Sequence, residues 1–492
     1  MRAKAAVIMM MGLLTLEIAA SFSFAGAIQE ETYQRLDAVR RQKTQQLFRY
    51  LDSLQQKADA IKDDRVMADF FHLKNQYYQF QKLKAPSAAL VKAIEELKQK
   101  INEHYLRHYL SFYDILFINP EGDIFYTIRK QSDYHKNIFK GVLADTALAK
   151  QLKSHPHETF VDYQYYHVSD EPSSFIVQPV AQDGAFAGWF ALQCAINKIN
   201  NMFTHEKGLG ITGEVFLVND QNYMLTDSRF FGESSILKKH LSRKNIEAKF
   251  REKSGHMIVT DYRGFRALSS FEVCQVANSK WLLIAKIDEN EIITEQYRKM
   301  EENVRPRLLR RFSTMTPGTG APVSLKQKPV TVDMDEFHKV HQNETIATFG
   351  VSTCTAVIVT LPRRFAYLSH ISNLDRIYGG DTTDLIGHIF KRIKNFDIYK
   401  YEILDIQATV VANHLETIGN IISRLLAEGI FLSQIRFVYN PDARYANVLH
   451  DYNAGETFVE WLMDRNSGAK QYQRASSAMT VDEWVKPLIG YE

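Results

Sequence analysis

The sequence predicts an α+β protein made of several domains in a row. Its 492 residues exceed what one ordinary hydrophobic core organises. A long polar segment with apolar residues at helical spacing is followed by two similar series of short β-branched and aromatic runs, and then by a segment in which strands and helices alternate. With 45% hydrophobic and 24% charged residues, the composition excludes a disordered, collagenous or multi-spanning membrane protein.

The charge balance and the cysteines exclude further classes. Sixty Lys and Arg against 57 Asp and Glu leave a net charge of +3, so the bulk charge predicts no nucleic-acid partner. Cys194, Cys274 and Cys354 lie far apart without CxxC or Cys/His spacing, so we predict neither a disulfide framework nor a zinc site. We therefore expect no metal and no cofactor.

Residues 1–28 have the pattern of a signal peptide or a membrane anchor. Arg2 and Lys4 precede an apolar run long enough to cross a bilayer, and Ala25-Gly26-Ala27 has the form of a signal-peptidase site. Both interpretations stay open, because Glu17 lies inside the run. In both, the leading positive charges place the later residues outside the cytoplasm. We expect a periplasmic or secreted protein, attached to the inner membrane through this helix if it is uncleaved.

Residues 29–110 are predicted to form a long helical stalk. They are rich in Gln, Lys and Glu, and apolar residues such as Leu47, Leu51 and Leu54 recur at helical spacing, with Pro86 as a break. A stalk of this kind is compatible with a homodimer formed along it.

Residues 111–205 and 206–298 are predicted to form two tandem antiparallel sheets with helical insertions. The first series of strand-like runs contains FYDILFI, DIFYTI, FIVQPVA and GWFALQCAI. The second contains GEVFLVN, HMIVTDY, RALSSFEV and KWLLIAKID. Turn residues separate the runs in both series.

Several ordered motifs resemble the double Cache (PAS-like) extracytoplasmic sensor of bacterial chemoreceptors. They are INPEGDIFYTIRKQSDY at 118–134, GLGITGEVFLVNDQNYMLTDSRF at 208–230, TDYRGFRALSSFEV at 260–273 and KWLLIAKID at 280–288. The resemblance covers roughly residues 29–295. It implies a membrane-distal module at 111–205 that binds a small ligand, a membrane-proximal module at 206–298, and a role in signal transduction. The Arg-x-Trp-Tyr signature of amino-acid-binding members is absent from the sequence, so the ligand stays open.

Aromatic and charged side chains of the distal module are candidates for its ligand pocket, because aromatic walls with a few charges suit a small polar ligand. The alternative is ordinary sheet packing, since strands favour Tyr and Phe in any case. The candidates are Tyr126, Arg129, Asp133, Tyr134, Asp162, Tyr163, Tyr165 and Tyr166.

Residues 299–344 are predicted to be a basic, Pro/Gly-rich linker. They contain RPRLLRR, TMTPGTGAP and KQKP with little periodicity. We favour a solvated hinge over a contact with a lipid surface.

The C-terminal part, residues 345–466, is predicted to be an α+β domain with a cysteine site, followed by a tail at 467–492. Cys354 and His370 lie on adjoining strands 16 positions apart, so a hairpin can bring thiol and imidazole together. An imidazole can activate a thiol as a nucleophile, and Thr348, on what we predict to be the same strand as the cysteine, could orient the ring. The alternative is a small buried cysteine beside an ordinary histidine.

The segments TFGVSTCTAV, YLSHISN, IGNIISRLLAEGI and AGETFVEW resemble the CheD-like chemoreceptor glutamine deamidase family. The resemblance implies that Cys354 is the nucleophile, His370 the general base and Thr348 its orienting partner, acting on a protein glutamine without a cofactor. The family's usual Gly-Ser-Cys is Ser352-Thr353-Cys354 here. The family acts in the cytoplasm, whereas this chain is expected outside it.

Three functions are compatible with these patterns. The first is a ligand sensor fused to a cysteine-dependent protein-glutamine deamidase. In the second, the CheD-like domain is inactive and serves as an interaction module for a protein partner. The third is a secreted, toxin-like deamidase.

Overall fold

The computed structural model describes residues 2–83, 87–155, 160–204, 208–322, 328–373, 384–464 and 468–491. Of residues 2–26 only the helical backbone is described, so the side chains of the predicted signal peptide or anchor at 1–28 lie almost entirely outside the described part. In the described ranges, no helix is both long and apolar enough to cross a lipid bilayer. The chain divides into two compact units, residues 33–287 and residues 288–492 together with 1–32.

The α-helices alternate with strands after a helical N-terminal part. They are α1 (Arg2–Ala60), α2 (Arg65–Leu83), α3 (Ala88–His104), α4 (Ala147–Ser154), α5 (Asn197–Thr204), α6 (Arg243–Glu252), α7 (Glu289–Phe312), α8 (Asp384–Arg392), α9 (Ile418–Ala427) and α10 (Val481–Val485).

The strands of the first unit form two sheets. They are β1 (Asp114–Ile118), β2 (Ile124–Thr127), β3 (Phe160–Tyr166), β4 (Glu171–Gln182), β5 (Ala185–Ala195), β6 (Glu214–Asn219), β7 (Ser254–Thr260), β8 (Arg266–Val276) and β9 (Ser279–Asp288).

Two further sheets belong to the second unit. Their strands are β10 (Val330–Thr331), β11 (Phe337–Val340), β12 (Thr345–Val351), β13 (Thr355–Leu361), β14 (Phe365–Ile371), β15 (Gln407–Ala412), β16 (Ile435–Tyr439), β17 (Tyr445–Asp451), β18 (Glu456–Leu462) and β19 (Lys470–Arg474).

The predicted stalk is long and regular only in α1. Phe70 and Phe71 of α2 are buried, and their rings lie 5.7 Å from Phe117 and 5.2 Å from Phe190 of the first sheet. Asp64, just before α2, accepts hydrogen bonds from the Met67 amide and the Tyr109 hydroxyl. The second of these bonds connects the start of α2 with the segment that follows α3. Helix α2 therefore packs on the first sheet instead of extending a stalk.

The first sheet has the order β2-β1-β5-β4-β3, and all its pairings are antiparallel. The second has the order β6-β9-β8-β7, with α6 inserted between β6 and β7. Ile246 of α6 shares a buried apolar core with Phe216 and Phe271 of that sheet. The predicted α+β class and its two tandem sheets are confirmed.

The second unit is built around a sandwich of two mixed sheets, β10-β12-β17-β18-β19 and β11-β14-β13-β15-β16. Side chains from both sheets, among them Ile346, Ile358, Val438 and Trp461, form one buried core between them. Among the strand pairs of the described residues of this unit, only β10–β12 and β15–β16 are parallel.

Both ends of the predicted C-terminal domain need correction. The linker predicted from residue 299 begins with helix, because α7 continues to Phe312 through Pro306 and buries Val304, Leu308 and Phe312 at four-residue spacing. Strands β10 and β11, placed in the linker by the sequence, belong to the sandwich. The predicted tail contributes the edge strand β19 and the helix α10.

Candidate functional sites

An open cleft lies in the first module, a name used here for helices α2 and α3 together with the first sheet. It lies between these two helices and the end of strand β2. Two of the predicted pocket residues, Tyr126 and Tyr134, line it. The ring of Phe70 lies 4.7 Å from that of Tyr126, so the inner wall is aromatic. The cleft has the mixed aromatic and charged lining of a small-molecule site.

The rim of this cleft carries an excess of positive charge. Lys74, Lys98 and Lys130 line it, against the one carboxylate of Glu95. Burial lowers the pKa of Lys74, and the neighbouring charges of Lys98 and Lys130 lower it further. Because each shift disfavours a charged ammonium, an anion in the cleft would relieve the repulsion.

A buried set of acids and phenols adjoins Tyr126 of the aromatic wall without lining the cleft itself. Asp114, Asp133 and Tyr126 are at most 2% exposed. The Tyr166 hydroxyl donates to Asp133 Oδ2 at 2.9 Å, whereas Asp133 Oδ1, Asp114 Oδ2 and the Tyr126 hydroxyl lack a hydrogen-bond partner in the described residues. Unsatisfied buried polar atoms cost free energy, which makes this set a candidate for holding a donor group of a ligand.

The electrostatics of these acids follow from their burial. Desolvation raises the pKa of Asp114 to about 7, and the nearby charge of Asp133 also raises it. The backbone amides of Arg129, Ile115 and Ile128 donate hydrogen bonds to Asp114 Oδ1 and act in the opposite direction. Burial also raises the pKa of Asp133. A ligand ammonium close to both would stabilise their ionised forms.

The other predicted pocket residues lie elsewhere. Arg129 is exposed and stacks on the Tyr113 ring at 4.0 Å. Asp162 accepts a hydrogen bond of 3.0 Å from the Trp281 indole of β9, and buried Tyr163 packs on the same indole. Tyr165 is 54% exposed. The structure therefore brings Asp133, Tyr126, Tyr134 and Tyr166 together and leaves the other four out.

Sequence reasoning missed two residues of this region. Lys74 lies in the segment predicted to be a stalk. A lysine on the apolar face of a helix nevertheless indicates a buried amine. Asp114 lies within the apolar run FYDILFI, where an acid is unusual.

In the second unit, the β13–β14 hairpin sets the geometry of the predicted cysteine site. Ala356 pairs with His370 and Thr355 with Ile371. Cys354 directly precedes β13 and is two residues from Ala356, the residue that pairs with His370. Side chains two positions apart lie on the same face of a strand, so the side chains of Cys354 and His370 are diagonal neighbours on one face of the hairpin.

Thr348 Oγ1 lies 2.7 Å from Nδ1 of His370 and 2.8 Å from the carbonyl oxygen of Val332. Since the hydroxyl donates its proton to Val332, it accepts the Nδ1 proton of the ring. Nε2 is then the unprotonated nitrogen, and it has no hydrogen-bond partner in the described residues. Burial lowers the pKa of His370, which keeps the ring neutral.

The cysteine does not complete this arrangement. Cys354 is 8% exposed, and its sulfur lies 3.8 Å from the sulfur of Met334, without a hydrogen bond to His370. Burial raises the pKa of the thiol, and the nearby carboxylate of Asp335 raises it further. The thiol is therefore protonated and covered in this conformation.

One step of the sequence argument is wrong. Thr348 and Cys354 do not share a strand, because β12 ends at Val351 after a bend at Gly350, where φ is +70°. Thr348 reaches His370 across the sandwich, from the opposite sheet. In the described part of the chain, no group of three or more His, Cys, Asp and Glu side chains could hold a metal ion.

Comparisons with known proteins find no matching protein-family model and no matching curated protein sequence. Among solved structures, an extracellular ligand-binding receptor from Desulfohalobium retbaense matches with 14% identity and a TM-score of 0.35, over 51% of this chain and 40% of that receptor. The ligand-binding domain of the Pseudomonas aeruginosa PAO1 amino acid chemoreceptor PctB, in complex with L-Arg, has 12% identity and a TM-score of 0.33, over 54% of this chain and 96% of its own.

A third similar structure is the ligand-binding domain of the Pseudomonas fluorescens chemoreceptor CtaA with L-leucine, at 11% identity and a TM-score of 0.34, over 55% of this chain and 98% of its own. The chain spans less than half the length of the Desulfohalobium receptor. These three similar structures are ligand-binding receptors or their ligand-binding domains. At identities and TM-scores this low, the similarity carries no conclusion about the ligand or the site of the present chain.

Proposed function

We propose that residues 33–287 form a double-Cache-type extracytoplasmic sensor that binds a small zwitterionic ligand in the distal module. The observation that carries this proposal is the pairing of a cationic cleft rim at Lys74 with unsatisfied acids at Asp114 and Asp133, in the buried set that adjoins the aromatic wall. A ligand with a carboxylate and an ammonium group matches the two charges.

The energetics favour such a ligand over a neutral one. Burial disfavours the charged forms of Lys74 and of the two acids, as the directions of their pKa shifts show. Binding an anion beside the lysine and a cation beside the acids removes part of that penalty, so the free energy of binding includes relief of strain already present in the empty site. Extracytoplasmic location follows from the charges flanking residues 1–28.

The test is calorimetric titration of the full chain with the twenty common L-amino acids, followed by the N-acetyl and amide derivatives of any that bind. We expect both derivatives to bind at least about tenfold more weakly, because each loses one charge pair. Asp133→Asn and Lys74→Met should each weaken binding, whereas Lys92→Met, an exposed residue of α3 outside the cleft, should not. Equal binding by Asp133→Asn and the unmodified chain would refute the site.

A second function is favoured by the Thr348–His370 contact. We propose that residues 330–491 form a CheD-like, cysteine-dependent amidohydrolase that acts on side-chain amides of a protein. Nε2 of His370 is free to accept a proton, and its tautomer is held by Thr348.

The chemistry needs no cofactor. His370 Nε2 takes the proton of Cys354, and the thiolate attacks the carbonyl carbon of a glutamine side chain. The tetrahedral intermediate expels ammonia, which takes its proton from the imidazolium, and a thioester remains. Water activated by the same imidazole attacks the thioester, which releases glutamate and restores the thiol. The first proton transfer requires the thiol of Cys354 to move away from Met334 and toward His370.

Labelling with the glutamine-like electrophile 6-diazo-5-oxo-L-norleucine, followed by peptide mass mapping, tests the nucleophile. We expect Cys354 to be modified, His370→Ala to react at least about tenfold more slowly, and Cys274→Ala, which removes a buried cysteine of the other unit, to react normally. Equal labelling rates for the unmodified chain and His370→Ala would refute the enzyme and favour the alternative in which the domain is an inactive interaction module.

A further inference from the structure

The proximal module contains a second cleft that the proposed sensor function does not use. It lies between helix α6 and the sheet β6-β9-β8-β7 and has a volume of about 440 Å³. Phe216, Ile246, Val259 and Ile284 give it apolar walls. A cleft with such a lining suits a small molecule with an apolar body.

An isolated buried amine faces this cleft. Lys249 of α6 lines it and is 2% exposed. Its Nζ lies 3.7 Å from the thioether sulfur of Met257 and 5.4 Å from the centroid of the Phe271 ring. No carboxylate forms an ion pair with it in the ranges that the structure describes. A thioether and a ring face compensate a buried ammonium poorly.

The remaining charges of the cleft are already balanced among themselves. Lys286 Nζ lies 3.2 Å from Glu214 and 2.6 Å from Asp261, and Asp261 also pairs with Arg263 at 2.9 Å. Two cations and two anions cancel, with Tyr262 and Ser228 donating to Glu214. Lys249 therefore differs from Lys286 in having no ion pair with a carboxylate among the described residues.

We propose that this cleft binds a small monocarboxylate with an apolar chain, whose carboxylate pairs with Lys249. The chain would occupy the apolar walls, and the anion would supply the partner that the protein does not provide. This site is separate from the one in the distal module, because its lining residues belong to α6, to the second sheet and to the segments that join their elements.

The assignment predicts that binding depends on pH. Burial lowers the pKa of Lys249 to about 8, against the raising effect of Glu252 on the same helix. The charged and titratable groups that face it from the sheet and its turns are Asp261, Tyr262 and Lys286, with Glu214 behind them. Since only the ammonium form attracts a carboxylate, affinity should fall by about tenfold between pH 7 and pH 9.

The experiment is isothermal titration of the full chain with hexanoate and with hexanamide, its neutral counterpart. We expect saturable binding of hexanoate, binding of hexanamide weaker by at least about tenfold, and a similar loss of hexanoate binding in Lys249→Met and Lys249→Gln. Lys244→Met, on the exposed side of α6, is the matched control and should bind normally. Circular dichroism verifies that each variant is folded.

Two results would overturn the proposal. One is no heat of binding for hexanoate up to about 20 mM, which corresponds to less than about 2–3 kcal/mol of binding free energy. The other is equal hexanoate affinity in folded Lys249→Met and the unmodified chain. Asp133→Asn should leave hexanoate binding unchanged, so this test and that of the distal site fail independently.

Discussion

The hydroxyl of Thr348 lies 2.7 Å from Nδ1 of His370, although the two residues belong to opposite sheets of the sandwich. The same hydroxyl donates to the carbonyl of Val332, so the contact assigns the ring proton to Nδ1. A buried histidine held in this way has its basic nitrogen directed away from its partner, as a general base requires.

The first prediction concerns this tautomer. In Thr348→Val the Nδ1 proton loses its acceptor in a buried place, so we expect the unfolding free energy to drop by about 1–3 kcal/mol and Thr348→Ser to restore most of it. Nitrogen-15 NMR of the histidine ring should show the Nδ1–H tautomer in the unmodified protein and a mixture in Thr348→Val. An Nε2–H tautomer in the unmodified protein would contradict the assignment.

The second prediction concerns the cover over the thiol. Met334 is 55% exposed, and its sulfur contacts that of Cys354. We expect Met334→Ala to raise the alkylation rate of Cys354 by iodoacetamide several-fold, because the thiol becomes accessible. With Cys354 in its covered state, the rate should still be rising above pH 9, since burial raises the thiol pKa. A rate in Met334→Ala equal to that of the unmodified protein would show that Met334 covers nothing.

The third prediction uses the buried carboxyl of Asp114, whose folded-state pKa of about 7 lies above its usual value near 3.8. The folded state thus binds more protons between these pH values, and stability falls as pH rises from about 4 to about 7. Asp114→Asn removes this titration, so the variant should gain up to about 4 kcal/mol relative to the unmodified protein over that range. Hydrogen exchange of the β1 amides at pH 4 and pH 8 measures the difference.

His450 gives a fourth prediction, in the opposite direction. It is buried in β17, its Nδ1 lies 2.9 Å from the Thr457 hydroxyl, and burial lowers its pKa to about 4. The unfolded state takes up the proton first, so the stability present above about pH 6.5 is lost as pH falls toward 4, by about 3 kcal/mol. His450→Gln should remove that acid sensitivity in urea unfolding of the second unit. If the unfolding free energy of His450→Gln depended on pH as that of the unmodified protein does, the ring of His450 would not be a neutral buried group.

The strands were predictable from the sequence because each is a short run of β-branched and aromatic residues between turns. The GEVFLVN run, for example, contains β6, which pairs with β9 along its whole length. What failed was the assignment of segments with mixed signals. The Pro306 break suggested a linker, yet α7 continues because its apolar face is covered, and tertiary packing overrides the local preference.

The candidate sites also contain some features that the sequence predicts and others that it does not. The Thr348–His370 contact could be predicted from a family resemblance, but its route across the sandwich could not, because the pairing of β12 with β17 depends on residues about a hundred positions away. Lys74 and Lys249 escaped notice because a lysine in a helix usually faces solvent. Only the packed structure shows that these two amines are buried.

The fifth prediction concerns Gly188 in β5, beside β1. Its φ is +135°, and a Cβ built there would lie 2.1 Å from the carbonyl oxygen of Ile118 and 3.0 Å from the Phe71 ring. Gly188→Ala should therefore destabilise the first module by more than about 2 kcal/mol, since both backbone strain and a clash with a paired strand oppose it. Gly184→Ala is the matched control, because its φ is +82° and nothing lies within 4 Å of its Cβ, so only the strain of about 1 kcal/mol applies. Thermal unfolding of the two variants measures the difference, and equal midpoints would show that β5 can move away from β1 without cost.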